Sequence, residues 1–313
     1  MEESTLSHPL QAIESNPAGH QRALRGTVYG VVSALSYGTA VLFVRYAYKA
    51  GMSAATATLL RFALATLCLF LFLRLSGRWV TLPTGQALTL FLCGLLLYTI
   101  MGITWFEALR ITPAWLVSLL VALFPIPVMI GSWLLLHQQS DSGQIIALGV
   151  VLIGVVLLFW RPLGEMALAG VALMVISVTF YAIYLLIGER WAQEADAGMR
   201  TVWTTLGAAV GSGVYALGSG QLDLRFAPDG WLWALLLGIV CTVMGIAFLW
   251  ESVRLLGPTP TAIIAVLEPV FSVLLSVLLL GESLSTLQWS GAAVVLAGIV
   301  FLQTRTVQSR PVE

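Results

Sequence analysis

The chain has 313 residues, of which 59% are apolar or aromatic and only 10% are Asp, Glu, Lys or Arg. Soluble domains carry about 25% charged residues, so a globule this long could not clothe its surface with so few, and a mean hydropathy of +0.94 assigns most of the chain to lipid. Fifteen acidic residues balance fifteen basic ones with no basic run, which excludes the footprint of a nucleic-acid binder.

Residues 1–25 are polar and partly acidic, and they lack the basic start and apolar core of a signal peptide, so they read as a flexible cytoplasmic tail. Apolar runs follow near 26–48, 53–75, 86–108, 112–136, 143–160, 166–188, 199–218, 230–253, 259–280 and 286–303. Each is close to the roughly 20 residues that a helix needs to span a bilayer. Backbone polar groups cannot stay bare in lipid, and the runs are continuous rather than alternating, so the expectation is ten transmembrane helices and no barrel. Thr112-Pro113 and Pro258-Thr259-Pro260 read as helix starts, and Ser140–Gly143 and Arg161–Gly164 as tight connections. The seventh run is the least apolar, and its Gly207-x-x-x-Gly211 pair would permit close helix contact. Residues 304–313 form a second tail. With both termini cytoplasmic, nine basic residues fall inside and five outside, which favours that orientation. Cys68, Cys93 and Cys241 lie far apart in apolar runs, so neither a disulfide framework nor a metal site is signalled, and no pattern points to a cofactor.

The sequence matches itself at an offset of 144 residues. Gly26 falls on Gly170, Ser33 on Ser177, Tyr37 on Tyr181, Gly94 on Gly238, Glu107 on Glu251, Arg110 on Arg254, Pro125 on Pro269 and Gly154 on Gly298. Two repeats follow, over 26–161 and 166–303, each with five crossings. An odd number makes the second repeat enter from the opposite face. The expected fold is therefore all-α and integral to the membrane, with ten helices as two inverted five-helix repeats. Secondary transporters share that plan, with a solute site near the midplane between repeats.

The second repeat carries Trp250-Glu251-Ser252-Val253-Arg254, Leu256-Gly257-Pro258, Leu267-Glu268-Pro269-Val270, Leu280-Gly281-Glu282, Gly291 and Ala297-Gly298. The first has Arg61-Phe62, Glu107-Ala108-Leu109-Arg110 and Pro125 in a similar order. This set resembles the EamA-type domain of the drug/metabolite transporter superfamily over nearly all of the folded chain. The first repeat departs from it with Leu136-His137-Gln138 where the second has Leu280-Gly281-Glu282, and with Phe124 where the second has Glu268. The resemblance implies a bacterial inner-membrane carrier, usually an exporter of amino acids or related metabolites, with aromatic amino acid exporters among the similar proteins.

Glu268 sits near the middle of the ninth crossing, where a charge costs about 3 kcal/mol on insertion scales. It reads as a proton-coupling group, as a partner for a substrate amine, or as a neutral acid supporting a bend at Pro269. Arg61 is the one base deep within a crossing. It reads as a substrate-carboxylate group or as a helix lock paired with Glu107 or another acid. Glu107 and Glu251 each precede an arginine by three residues, which permits helix-end ion pairs or a gate. Pro125 and Pro269 fall mid-crossing and would bend their helices around a cavity. Tyr37, Tyr98, Trp105, Trp115 and Tyr181 are the aromatic candidates for the cavity wall, with Trp133, Trp203, Trp250 and Tyr184 behind them. Tyr98, Gly102 and Trp105 share one helical face, and Gly102 would leave room beside Tyr98 for a flat solute.

The expected activity is secondary active export of small metabolites such as aromatic or hydrophobic amino acids, by a monomer or weak dimer, with a proton as the simplest coupling ion. A carrier for sugars, nucleotide sugars or drugs, a channel, and a non-transporting scaffold are the alternatives. An intramembrane enzyme finds no support, because no serine or histidine set has catalytic spacing at membrane depth and no phosphate-binding loop is present.

Overall fold

A computed structural model describes residues 17–136, 142–158, 165–191, 196–256, 261 and 264–308. Among these residues every regular element is a helix. In chain order they are α1 (Pro17–Gly38), α2 (Ala40–Lys49), α3 (Ala54–Leu75), α4 (Thr84–Cys93), a π turn (Gly94–Tyr98), α5 (Thr99–Ile111), α6 (Ala114–Val121), α7 (Pro125–Leu136) and α8 (Ser142–Leu158). There follow α9 (Glu165–Trp191), α10 (Ala197–Gly218), α11 (Asp229–Gly238), a second π turn (Ile239–Met244), α12 (Gly245–Leu256), α13 (Leu267–Leu280) and α14 (Thr286–Gln308).

Among the described residues, six helical stretches are long and apolar enough to cross a membrane: Gln21–Lys49, Ala54–Leu75, Thr84–Ile111, Ala114–Gly131, Leu168–Ile187 and Asp229–Leu256. Ile145–Leu158, Leu267–Leu280 and Thr286–Leu302 are shorter apolar helices. Large side chains such as Leu75, Ile153, Val214 and Leu278 stand exposed around the outside, as expected where lipid is the solvent. The chain is a multi-pass membrane protein.

Local chemistry sets the helix limits. Ser53 caps α3 by accepting the Thr56 N–H, and Asp196 caps α10 by accepting those of Gly198 and Met199. Gly281 ends α13 in the left-handed region at φ +69°, a conformation that glycine adopts freely. Two corrections concern the ends of the chain. Residues 17–25, assigned to the tail, begin α1, because Pro17 suits a first helical position. At the other end α14 runs on to Gln308, since no breaker precedes Pro311. The connections at Ser140–Gly143, Arg161–Gly164 and Pro258–Pro260 lie largely outside the described residues.

Packing follows the internal repeat. Helix α3 lies against α10, and α8 against α14; each of these pairs maps onto itself at the 144-residue offset. Helix α1 packs on α12, and α9 on α5, and these two pairs exchange. The joints repeat atom for atom. Ser33 Oγ donates to Gly245 O at 2.8 Å, and Ser177 Oγ donates to Met101 O at 2.9 Å. A Cβ on Gly154 would strike Val295, and one on Gly298 would strike Val151. Gly207 and Gly211 lie so close to Phe91, Leu95 and Thr99 that no side chain would fit, so the seventh run uses its glycines for close contact.

Both π turns fall at matching places in the third and eighth apolar runs. Threonine hydroxyls fill the widened ladder. Thr99 Oγ1 donates to Gly94 O at 3.1 Å, and Thr242 Oγ1 donates to Leu237 O at 3.1 Å, each five residues back. Such bulges reorient the side chains that follow them.

Candidate functional site

A central cavity of about 340 Å³ opens between the halves. Most of its wall comes in pairs at the 144-residue offset: Ser33 with Ser177, Tyr37 with Tyr181, Val121 with Ala265, and Ala122 with Val266. The pairing breaks where charge enters. Glu268 stands where the first half has Phe124, and both line the cavity. Arg61 lines it too, and its counterpart is Thr205.

Each side chain has a local reason for its place. Tyr37 lies two residues before the break between α1 and α2 at Thr39, whose hydroxyl donates to Ser36 O at 2.8 Å. Helix α13 crosses that break closely. Ser272 Oγ donates to Gly38 O at 3.0 Å, and a Cβ on Gly38 would come within 3.1 Å of Glu268 O. This crossing brings Glu268 beside Tyr37 at the cavity wall. Tyr98 ends the first π turn and meets Phe62 at 5.4 Å, Tyr184 at 5.1 Å and Tyr181 at 6.3 Å between ring centroids.

Arg61 is held by rings and one hydroxyl. Its Cζ lies 5.7 Å from the Phe62 centroid, 5.8 Å from Trp105 and 6.0 Å from Phe106. Its Nε donates to Thr242 Oγ1 at 3.2 Å. Among the described residues the ion pairs are Arg45–Glu282, Arg110–Glu107 and Arg254–Glu251. The expected lock between Arg61 and Glu107 is therefore absent, because Glu107 is taken by Arg110 at 2.6 Å. Arg61 and Glu268 thus share one cavity without closing on each other. An arginine keeps its charge, so such a site suits a solute that brings its own anion.

Of the residues singled out from sequence, Tyr37, Arg61, Tyr98, Trp105, Tyr181, Glu268 and Pro269 meet at this cavity. Others do not. Trp115 is only 3% exposed inside the apolar core, and its backbone N–H donates to Glu282 Oε2 at 3.0 Å, so its ring is packing rather than wall. Glu107 and Glu251 form their i, i+3 pairs at helix ends away from the cavity. Glu107 borders a separate open depression of about 560 Å³ with Tyr48, Arg110 and Asp223. Trp250 is 43% exposed on the outer surface. The side chains of Pro125 and Trp133 lie outside the described residues.

Three geometric expectations change. Gly102 leaves no space for a solute, because the Phe62 ring fills it: a Cβ there would stand 2.9 Å from Phe62 Cε2. The two prolines do not sit within unbroken helices. Pro125 opens α7 after a turn at 122–124, where Phe124 and Ile126 donate three residues back, and Pro269 lies in the first turn of α13. A proline in a first turn has no intrahelical bond to lose, which explains the placement.

Sequence reasoning missed Phe62, Ser118, Ser272 and Thr242. The serines and Phe62 look like ordinary apolar-run residues. For Thr242 the signal was available, since it is the counterpart of Tyr98, but a threonine in an apolar helix announces nothing by itself.

A family model described as the EamA-like transporter family matches residues 24–160 and again 168–304. An uncharacterised transporter of Archaeoglobus fulgidus is 27% identical over 276 residues, covering 86% of this chain and 93% of its own. Protein PecM of Dickeya dadantii is 26% identical over 237 residues, covering 73% and 77%. A solute carrier family 35 member B1 homolog of Drosophila melanogaster is 27% identical over 190 residues, or 56% of this chain and 55% of that one. One crystal structure superposes with a TM-score of 0.64 at 17% identity, covering 92% of this chain and 99% of the other, which speaks for the fold alone.

Proposed function

The chain belongs to the EamA-like transporter family, and we propose that it is a secondary carrier that exports amino acids with aromatic or hydrophobic side chains. The observation that carries this reading is the central cavity, where a cation and an acid that form no ion pair with any described residue share a wall of rings. A zwitterion satisfies both groups at once. Its carboxylate answers Arg61, its ammonium answers Glu268, and its side chain lies among Tyr37, Tyr98, Trp105 and Tyr181. Insertion of either charge into lipid is costly, so a guest that neutralises both is favoured over an uncharged one. A nucleotide sugar could offer its diphosphate to Arg61 but brings no cation for Glu268, which is why amino acids come first.

Ten crossings in two inverted repeats would let the halves rock about this cavity and open it to each side in turn. The odd number of crossings per repeat and the exchanged helix pairs α1–α12 and α9–α5 support that arrangement. The basic-residue count supports cytoplasmic termini, and the family resemblance a bacterial inner membrane. Uphill export then needs an ion gradient, with Glu268 as the group that would carry a coupling proton.

The test is counterflow in proteoliposomes with a panel of amino acids, sugars and nucleotide sugars at two pH values. Saturable exchange of aromatic amino acids, lost in Glu268→Gln and Arg61→Gln with membrane insertion intact, is expected. Exchange confined to nucleotide sugars would replace the reading, and unsaturable flux would make the protein a pore.

A further inference from the structure

The second π turn does for the cavity something different from the first. The first ends on Tyr98 and supplies a ring. At the matching position the second supplies Thr242, which is only 4% exposed. The Thr242 hydroxyl donates to the Leu237 carbonyl, five residues back across the bulge. With its single proton spent on Leu237 O, the hydroxyl presents a lone pair outward, and the Arg61 Nε–H is the donor that meets it at 3.2 Å. Arg61 is therefore gripped at the inner edge of its fork, while Phe62, Trp105 and Phe106 surround its charge. Neither terminal nitrogen of Arg61 bonds a described residue.

We propose that Thr242 is a positioning residue that makes Arg61 an end-on clamp for a planar carboxylate. Resting on the amino-acid reading above, this deepens it by naming the atoms. A guanidinium binds a carboxylate in two ways, side-on through Nε and one terminal nitrogen, or end-on through both terminal nitrogens. Thr242 occupies Nε, so only the end-on pair remains for the guest. The hydroxyl also fixes rotation about the last side-chain bond, so the fork is set before the guest arrives and less freedom is lost on binding. Without the hydroxyl the fork is free to turn, and a carboxylate loses most of its advantage over a neutral isostere to the ordering that binding then requires. The role needs the oxygen rather than the methyl group, so serine should serve and valine should not.

The experiment uses the full chain in detergent and two probes, 3-phenylpropanoate and 3-phenylpropanamide, which differ in the anion alone. Titration calorimetry gives the affinity ratio for wild type, Thr242→Val and Thr242→Ser. Wild type should favour the carboxylate by at least about tenfold, as a bidentate charged pair should over a neutral group. Thr242→Val should bring the ratio below about threefold while the amide still binds as before, and Thr242→Ser should keep the wild-type ratio. A destabilised valine variant would weaken both probes together, which the unchanged amide affinity excludes. Equal preference in wild type and Thr242→Val, or no preference in wild type, overturns the proposal. Counterflow of tritiated L-phenylalanine by the same wild-type preparation separates the two claims. Carboxylate preference without flux would leave the clamp standing and remove the amino-acid reading, whereas flux without preference would do the reverse.

Discussion

Replacement of Glu282 should loosen the contact between the two repeats at one end of the cavity, and the size of the loss can be worked from its bonds. Gly281 turns the chain back so that Glu282 reaches the start of α6. Its two oxygens accept the N–H groups of Ala114 at 2.8 Å and Trp115 at 3.0 Å. Arg45 Nη2 stands 3.4 Å from the same carboxylate and donates to Thr112 O at 2.6 Å. Both charged side chains keep about a fifth of their surface in contact with solvent, 24% for Arg45 and 17% for Glu282. Their mutual attraction is therefore worth roughly 0.5–1 kcal/mol. The cap is worth more. Two charge-assisted bonds to a helix start, with the helix dipole behind them, amount to about 2–3 kcal/mol. Glu282→Ala should lose about 3 kcal/mol, whereas Glu282→Gln, which keeps one acceptor, should lose about half of that. Arg45→Gln should lose only about 1 kcal/mol, since the cap survives it. Reversible unfolding in mixed detergent and SDS measures all three. A larger loss for Arg45→Gln than for Glu282→Ala would refute the ranking of cap above ion pair.

Further outcomes follow from the same geometry. Glu268→Gln should cut counterflow at both pH values while leaving membrane expression unchanged, and full flux with an unaltered pH profile would remove the coupling role. Gly207→Leu should prevent folding or lower stability by at least about 3 kcal/mol, because its side chain would drive α10 off the Phe91–Leu95 backbone; proteolysis of membranes after expression reads this out. Ser33→Ala and Ser177→Ala should each lose about 0.6 kcal/mol, a usual value for an interhelical bond in a membrane. Their effects should be additive, since each serine bonds a different carbonyl.

The fold was largely legible because lipid imposes one simple rule. Long apolar runs must become helices, and glycine and proline mark where they stop. The offset of 144 residues carried the pairing as well, since Ser33, Ser177, Gly154 and Gly298 matched in sequence and then proved to make matching joints. Helix direction within a run was harder to read. Trp115 and Trp105 both sit in apolar surroundings, and only the rotation of their helices sends one into the core and the other to the cavity. Gly102 misled for a related reason: a gap on a helix face is filled by whichever neighbour packs there, in this case Phe62. The π turns leave no mark in composition at all. They shift the register by one residue, so any facing argument that carries a regular 3.6-residue period through Gly94 or Gly238 drifts.

A chamber whose wall looked the same after its halves traded places would give a guest two indistinguishable poses, head-first and tail-first. Here the trade puts Phe124 where Glu268 was and Thr205 where Arg61 was, so the two poses differ in energy by the worth of both charges. The repeat gives the room its shape, and the unmatched charges at Arg61 and Glu268 give it a compass.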